Sequence, residues 1–326
     1  MTISPHPETP GEGRPLLAAE AALAGGAALS VRQIFWQRFL AHRLAVASLA
    51  FLILLSLASA AAPLVEALLG VDGNLVDLFN AKQLPSAQHP LGTDELGRDT
   101  LVRLLYGGQV SLIVGLAAAL GSAVIGSFLG IMAGYYGGRL DALLMRFTDG
   151  VIALPILPLL IILAAVDLRK LGLPEDLVAS ESISIYRIVV LIVLVGWTTV
   201  ARLVRGATLS MKTREFVRAA EAMGAPARRI MLVHILPNVV SPIIVATTLS
   251  IGGIILLESV LSFLGLGIQP PLPSWGNMLT NAQELIWEAP VLAIYPGLLI
   301  FLTVIAFNFL GDGLQDALDP RAIQEE

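Results

Sequence analysis

The chain contains no cysteine, which excludes disulfides, thiol nucleophiles and cysteine-ligated metals. Charge is scarce as well. Only 14% of its 326 residues are Asp, Glu, Lys or Arg, against about 25% in soluble domains. Three lysines are present, Lys82, Lys170 and Lys212, and none is preceded by glycine. A Gly-x-x-x-x-Gly-Lys phosphate loop is therefore missing, so the chain has no means of its own to hydrolyse ATP. No His-Glu-x-x-His zinc motif occurs, and His42, His89 and His234 lie far apart with no hydrolytic triad around them. These absences leave no catalytic residue and no metal ligand to nominate. The net charge of −5 argues against a nucleic-acid partner.

What the chain has in abundance is hydrocarbon. It is 56% hydrophobic with a mean hydropathy of +0.80, and its apolar runs reach the roughly 20 residues that a bilayer-spanning helix needs. Leu44–Val65 is free of charge. Its Ala58-Ser59-Ala60 looks like a signal-peptidase site, but the run exceeds the roughly 7–15 residue core of a cleaved signal. An uncleaved anchor helix is the expectation. A second span, Val110–Ala133, lies inside the charge-free stretch Leu104–Gly138. The third, Leu143–Val166, carries Arg146 and Asp149 in its first turns. The fourth, Ile185–Leu203, needs Arg187 and Arg202 to reach toward opposite interfaces. The fifth, Val239–Leu266, contains Glu258, and the sixth lies within Ala289–Gly311. The fold class expected is therefore an all-α integral membrane protein with six transmembrane helices.

Residues 1–30, rich in Pro, Gly and Ala, read as a disordered cytoplasmic tail, and 31–105 as the first transmembrane helix with an outer loop. Residues 106–313 form the transmembrane core, and 314–326 a cytoplasmic tail. With both termini inside, the inner segments hold 14 of the 20 basic residues and the outer loops five, which is the orientation the positive-inside bias favours. Ser122, Gly126, Gly130, Gly134 and Gly138 recur every four residues, a smooth ridge on one helix face. It suits tight packing within the bundle or a dimer contact.

Between the fourth and fifth spans lies "EFVRAAEAMGAPARRIMLVHILPN", Glu215 to Asn238. Thr213 can cap a helix with Glu215 in its first turn, Gly224 suits that helix's C-terminal end, and Pro226 can open a second helix. Pro237 is expected to stop that second helix before the fifth span begins. The reading is two short helices at an angle, over roughly 213–237, with a small smooth surface at the bend. An ordinary cytoplasmic loop fits the composition equally well.

This segment resembles the coupling helix of the inner-membrane permeases of ABC importers, whose pattern is Glu-Ala-Ala, three residues, Gly, nine residues, Ile-x-Leu-Pro. Here Arg218-Ala219-Ala220, Gly224 and His234-Ile235-Leu236-Pro237 stand at the matching spacings. Arg218 replaces the family's Glu and His234 its Ile. "HPLGTDELGRDTLVRLLYGGQVSLIVG" (His89–Gly115), "RFTDGVIALP", "LLESVLSFLGLGIQPPLPSWGNML" and "FNFLGDGLQDALDP" are similar to the C-type permease of the dipeptide, oligopeptide and nickel group. The resemblance covers roughly Gln33 to Arg321. It implies one half of a path for peptides, or by the same machinery for nickel or other small solutes. The rival reading is a secondary transporter that needs no ATPase, which would be expected to use charges at mid-depth and repeat symmetry. It also implies a B-type permease partner, two ATP-binding subunits, an extracytoplasmic solute-binding protein and embedding lipid. No cofactor is expected on this chain, since ATP and Mg belong to the ATPase subunits.

The residues it nominates for ATPase coupling are Glu215, Arg218, Ala219, Ala220, Glu221, Gly224, Ala225 and Pro237. Ionisable groups at membrane depth are functional candidates, so Asp149, Glu258 and Asn308 are nominated for the path or its gate, with Asp149 one turn from Arg146 and able to pair with it. For Glu258 a hydrogen-bonded structural role stands ahead of a path-lining one. Asp99 can cap a short helix with Leu101, Leu104 and Leu105 on one face, suited to lying on the outer membrane surface. The loop before it serves either as a stapled loop or as a surface for a binding protein.

Overall fold

The computed structural model describes residues 30–172 and 174–318. The tail expected over 1–30 lies outside the described residues except for Ser30. That residue begins α1 (Val31–Ala41) with a capping box, its hydroxyl accepting from the Gln33 N–H while the Gln33 side chain accepts from the Ser30 N–H. Among the described residues the chain is helical, with one isolated bridge, Thr93 to Asp99, in place of any strand. Five unbroken helices are long and apolar enough to cross a membrane: α2 (Arg43–Ala60), α4 (Thr100–Tyr136), α7 (Ile183–Lys212), α9 (Ala227–Phe263) and α10 (Val291–Leu318). The short α3 (Ala62–Leu69) follows α2.

The third span departs from expectation. It is two helices, α5 (Gly138–Ala153) and α6 (Ile156–Ala164), bent by 83°. The cause is Pro155, which disfavours helical geometry in the residue before it, and Leu154 is extended at φ −73°, ψ 140°. The count reaches the expected six when this bent pair, at the place of the third span, is taken as one crossing.

The separate surface helix after Asp99 is also corrected. Asp99 does cap, its carboxylate accepting from the Val102 N–H at 2.8 Å, but the helix it opens is α4 itself. Gly107-Gly108 does not break the helix, because both glycines are buried where Trp275 and Ser59 press against them. Leu104 is buried rather than facing lipid. At 37 residues α4 is roughly 55 Å long, well beyond a hydrocarbon core of about 30 Å.

The ridge of small residues is used inside the chain. α7 lies along it so closely that a Cβ on Gly126 would stand 2.6 Å from the Trp197 carbonyl oxygen, and one on Gly130 2.6 Å from that of Ala201. Gly134 meets Thr208 and Arg205, and Gly196 of α7 reciprocates against Ser122. Gly138 stands clear of the seam. Close backbone approach through small residues is how helices associate where lipid removes the hydrophobic drive.

The loop before α4 is stapled. Asp94 accepts from the Leu96 and Arg98 N–H groups, each at 2.9 Å, and from Arg98 Nε at 2.7 Å, while Asp99 meets His89 Nδ1 at 3.0 Å. α10 continues to Leu318, into the stretch expected as a tail; 319–326, with Arg321, lies outside the described residues.

Candidate functional site

α7 ends at Lys212 and α8 (Glu215–Ala222) follows after two residues. Thr213 is not its cap. The Thr213 hydroxyl donates back to the Ser210 carbonyl at 2.9 Å, and Arg214 occupies the N-cap with no side-chain hydrogen bond. The other end of α8 is well made. Gly224 adopts φ +78°, a conformation that costs an L-residue but not glycine. Its N–H donates to the Glu221 carbonyl at 2.9 Å and that of Ala225 to Ala220 at 3.1 Å, the paired bonds of a Schellman turn.

α8 has two faces. Val217 and Ala220 are buried against the chain itself, with Val217 in a cluster that includes Ile230, Ile235 and Val239. Ala220, nominated for ATPase coupling, is thus turned inward against the chain. The exposed stripe is Phe216, Ala219 and Met223, with Met223 at 81% of full exposure, at the i, i+3, i+7 spacing of one helix face. Glu215, Arg218, Glu221 and Gly224 are exposed around it, and Ala225 is half-buried.

Pro237 does not end a helix. α9 runs unbroken from Ala227 to Phe263, and the strain of an internal proline is absorbed by a π-helical stretch, Ile230–Ile235. The Leu236 N–H reaches back five residues to the Met231 carbonyl, and this widened turn gives the proline ring room. The segment is thus one short helix, one tight turn and the extended foot of a span.

α8 sits on a junction tied to three spans. Lys212 Nζ donates to the Tyr135 carbonyl at 2.6 Å, capping the C-terminal end of α4 with a cation, and lies 5.3 Å from the Tyr135 ring centre. Glu221 of α8 faces the same tyrosine. Arg205 grips Asp141 through two bonds at 2.5 and 2.6 Å. Asp149 pairs with Arg202 at 2.5 Å and not with Arg146, because α5 crosses α7 on that side. Arg202 and Arg205, one turn apart toward the C-terminal end of α7, are thus both bonded to α5.

Between α4 and α9, beside this junction, runs a groove of about 970 Å³ lined by Val124, Phe128, Tyr136, Met231, Val240, Ile244 and others. Ser127, Thr247 and Thr248 interrupt its apolar wall, and Arg228 stands in its lining with Tyr136.

Comparison with known proteins accounts for this arrangement. Residues 126–324 match the family described as binding-protein-dependent transport system inner membrane component, and residues 30–69 the N-terminal TM domain of oligopeptide transport permease C. The chain belongs to this permease family. It is similar to the glutathione transport system permease protein of Pectobacterium atrosepticum, 42% identical over 88% of this chain and 90% of the relative. The oligopeptide transport system permease protein of Haemophilus influenzae is 40% identical over 88% of each chain. The dipeptide transport system permease protein of Alkalihalophilus pseudofirmus is 42% identical over 74% of this chain and 75% of its own length.

The permease is a multi-pass membrane transport component and not an enzyme. Such a subunit works with further permease, ATPase and binding-protein subunits. The three residues nominated for its path or gate lie elsewhere than the groove. Asp149 is on the α5–α7 surface, Asn308 is exposed on α10, and Glu258 is enclosed with no exposure at all. Trp197 is buried and stacks on Phe147 at 5.9 Å. Sequence reasoning missed the groove because its lining is aliphatic and aromatic, the same residue types that face lipid everywhere else. The one signal was Arg228, a cation retained beside an apolar wall.

Proposed function

We propose that the permease is the C-type half of an ATP-driven peptide importer in the cytoplasmic membrane. Both termini lie inside, a B-type permease stands beside it, two ATPase subunits lie beneath and a solute-binding protein docks outside. The relatives named for glutathione, oligopeptides and dipeptides support peptides as cargo over nickel chelates or other small solutes.

One observation carries the coupling assignment. The exposed apolar stripe Phe216–Ala219–Met223 lies on a helix that is itself clamped to α4, α7 and α9. An exposed apolar stripe on an otherwise charged helix is a docking face, and a clamped helix transmits the motion of what grips it. Closure of the ATPase pair displaces α8, and the junction at Lys212, Tyr135 and the π-turn passes that displacement into α4 and α9. The groove between those two helices serves as this subunit's share of the path. To move the path from about 1:99 to 99:1 the drive must favour one state by roughly 5.5 kcal/mol.

Purification of the complex in mild detergent tests the reading. ATPase subunits should remain with the wild-type permease and be lost when Met223 is replaced by Glu. Retention of the ATPases by that variant would remove α8 from the docking role.

A further inference from the structure

Beyond Phe263 the chain forms a hairpin, 264–279, that returns into the bundle and buries Trp275 completely. Its tip, Gln269-Pro270-Pro271, is exposed. Two of its backbone N–H groups are linked, each through a serine hydroxyl, to one side chain. The Ile268 N–H donates to Ser262 Oγ at 3.0 Å, and that hydroxyl donates to Glu258 Oε1 at 2.6 Å. The Trp275 N–H donates to Ser111 Oγ at 3.2 Å, and that hydroxyl donates to Glu258 Oε2 at 3.3 Å. One limb reaches the carboxylate through a serine of α9, the other through a serine of α4. Ser259 and Ser274, both buried, stand against the same carboxylate.

The chemistry explains why a glutamate is there. Among the described residues the groups that reach it are hydroxyls, with no cation, so burying it is expensive and an aliphatic side chain would be cheaper. What an aliphatic side chain cannot do is take both hydroxyl protons. With each proton held by one carboxylate oxygen, the serine lone pairs turn toward the hairpin and receive its N–H groups. Neighbouring contacts then hold the same geometry. Trp275 Nε1 donates to the Leu104 carbonyl at 3.0 Å, Gly267 lies against Ser262, and Gly276 lies against Ser259 with no space for a Cβ.

We propose that Glu258 is the positioning residue that locks the 264–279 hairpin to α4 and α9, so that this end of the permease moves as one rigid body during transport. Conformational change is then confined to the α8 end. The role in transport rests on the importer reading above; the lock itself does not.

The test compares Glu258→Leu, Glu258→Gln, Ser262→Ala and Ser111→Ala in the whole complex held in lipid nanodiscs. Hydrogen exchange over 264–279 and ATP-driven uptake of a labelled peptide are both read. Glu258→Leu should speed exchange in both limbs by up to about tenfold, the loss expected when hydrogen-bonded groups lose their buried partner, and should slow uptake at saturating binding protein. Ser262→Ala should loosen the Ile268 limb alone and Ser111→Ala the Trp275 limb alone. Glu258→Gln, which keeps one acceptor oxygen, should preserve protection of the Ile268 limb and recover part of the uptake. Unchanged exchange in Glu258→Leu overturns the lock, and so does equal loosening of both limbs by each serine variant. If the wild-type complex moves no peptide, the cargo assignment fails while the exchange pattern still decides the lock.

Discussion

Substitution at two adjacent alanines should separate the folding of the α8 region from its proposed docking. Ala219 and Ala220 are neighbours in sequence, yet Ala220 is 3% exposed and Ala219 faces outward. An aspartate at Ala220 places an unpaired charge against the chain's own apolar cluster, at an expected cost of several kcal/mol in local stability. The same change at Ala219 should alter the stability of the isolated permease by no more than about 0.5 kcal/mol. At a docked apolar contact, however, a buried carboxylate costs about 2–4 kcal/mol, roughly 30- to 1000-fold in affinity. Thermal unfolding of the purified permease and retention of ATPase subunits on an affinity-tagged complex read the two effects separately. Ala219→Asp should unfold like wild type and lose the ATPases. Ala220→Asp should unfold early, and any loss of coupling in it is secondary. Normal ATPase retention and stimulation in Ala219→Asp would refute the assignment of that face.

Other substitutions probe the supports of the same junction. Gly130→Val should destabilise the permease by about 1–3 kcal/mol, seen as lower yield and earlier unfolding, because its Cβ would meet the Ala201 carbonyl oxygen. Gly253→Ala, with nothing within 4 Å, should be neutral or gain up to about 1 kcal/mol in the same unfolding assay. Gly224→Val should strain a backbone held at φ +78° by about 1–3 kcal/mol and depress nucleotide-driven transport, with Gly224→Asn milder because Asn tolerates that conformation. Lys212→Met should uncap α4 at a cost of about 0.3–1 kcal/mol and lower transport relative to ATP consumed, measured on reconstituted complex.

Much of this architecture was legible because membranes impose simple rules. Charge-free runs located the spans, and a four-residue period in Ser122, Gly126, Gly130 and Gly134 marked a seam before its partner was known. Local chemistry was equally readable at Asp99 and Gly224, where cap and turn depend on a few adjacent residues. What the sequence hid was direction and continuation. Pro155 bent its span sharply, whereas Pro237 lies within a continuous helix. The difference is the π-turn before Pro237, which no propensity scale registers. Ala219 and Ala220 are chemically identical, and only the packing of Val217 and Ile230 decides which one faces outward. Asp149 stands one turn from Arg146 but meets Arg202 across an interhelical contact. A carboxylate at the depth of Glu258 suggested either a path residue or a hydrogen-bonded structural one, and its serine partners, which come from three separate stretches of chain, could not be read from sequence.

The most direct measurement is uptake of labelled di- and oligopeptides into vesicles that carry the full complex, with and without ATP, for wild type and for Ala219→Asp. The account predicts uptake that requires ATP in the wild type and is lost in the variant, while its permease remains folded in the membrane. Peptide uptake that proceeds without ATP, or that survives in Ala219→Asp, would contradict it.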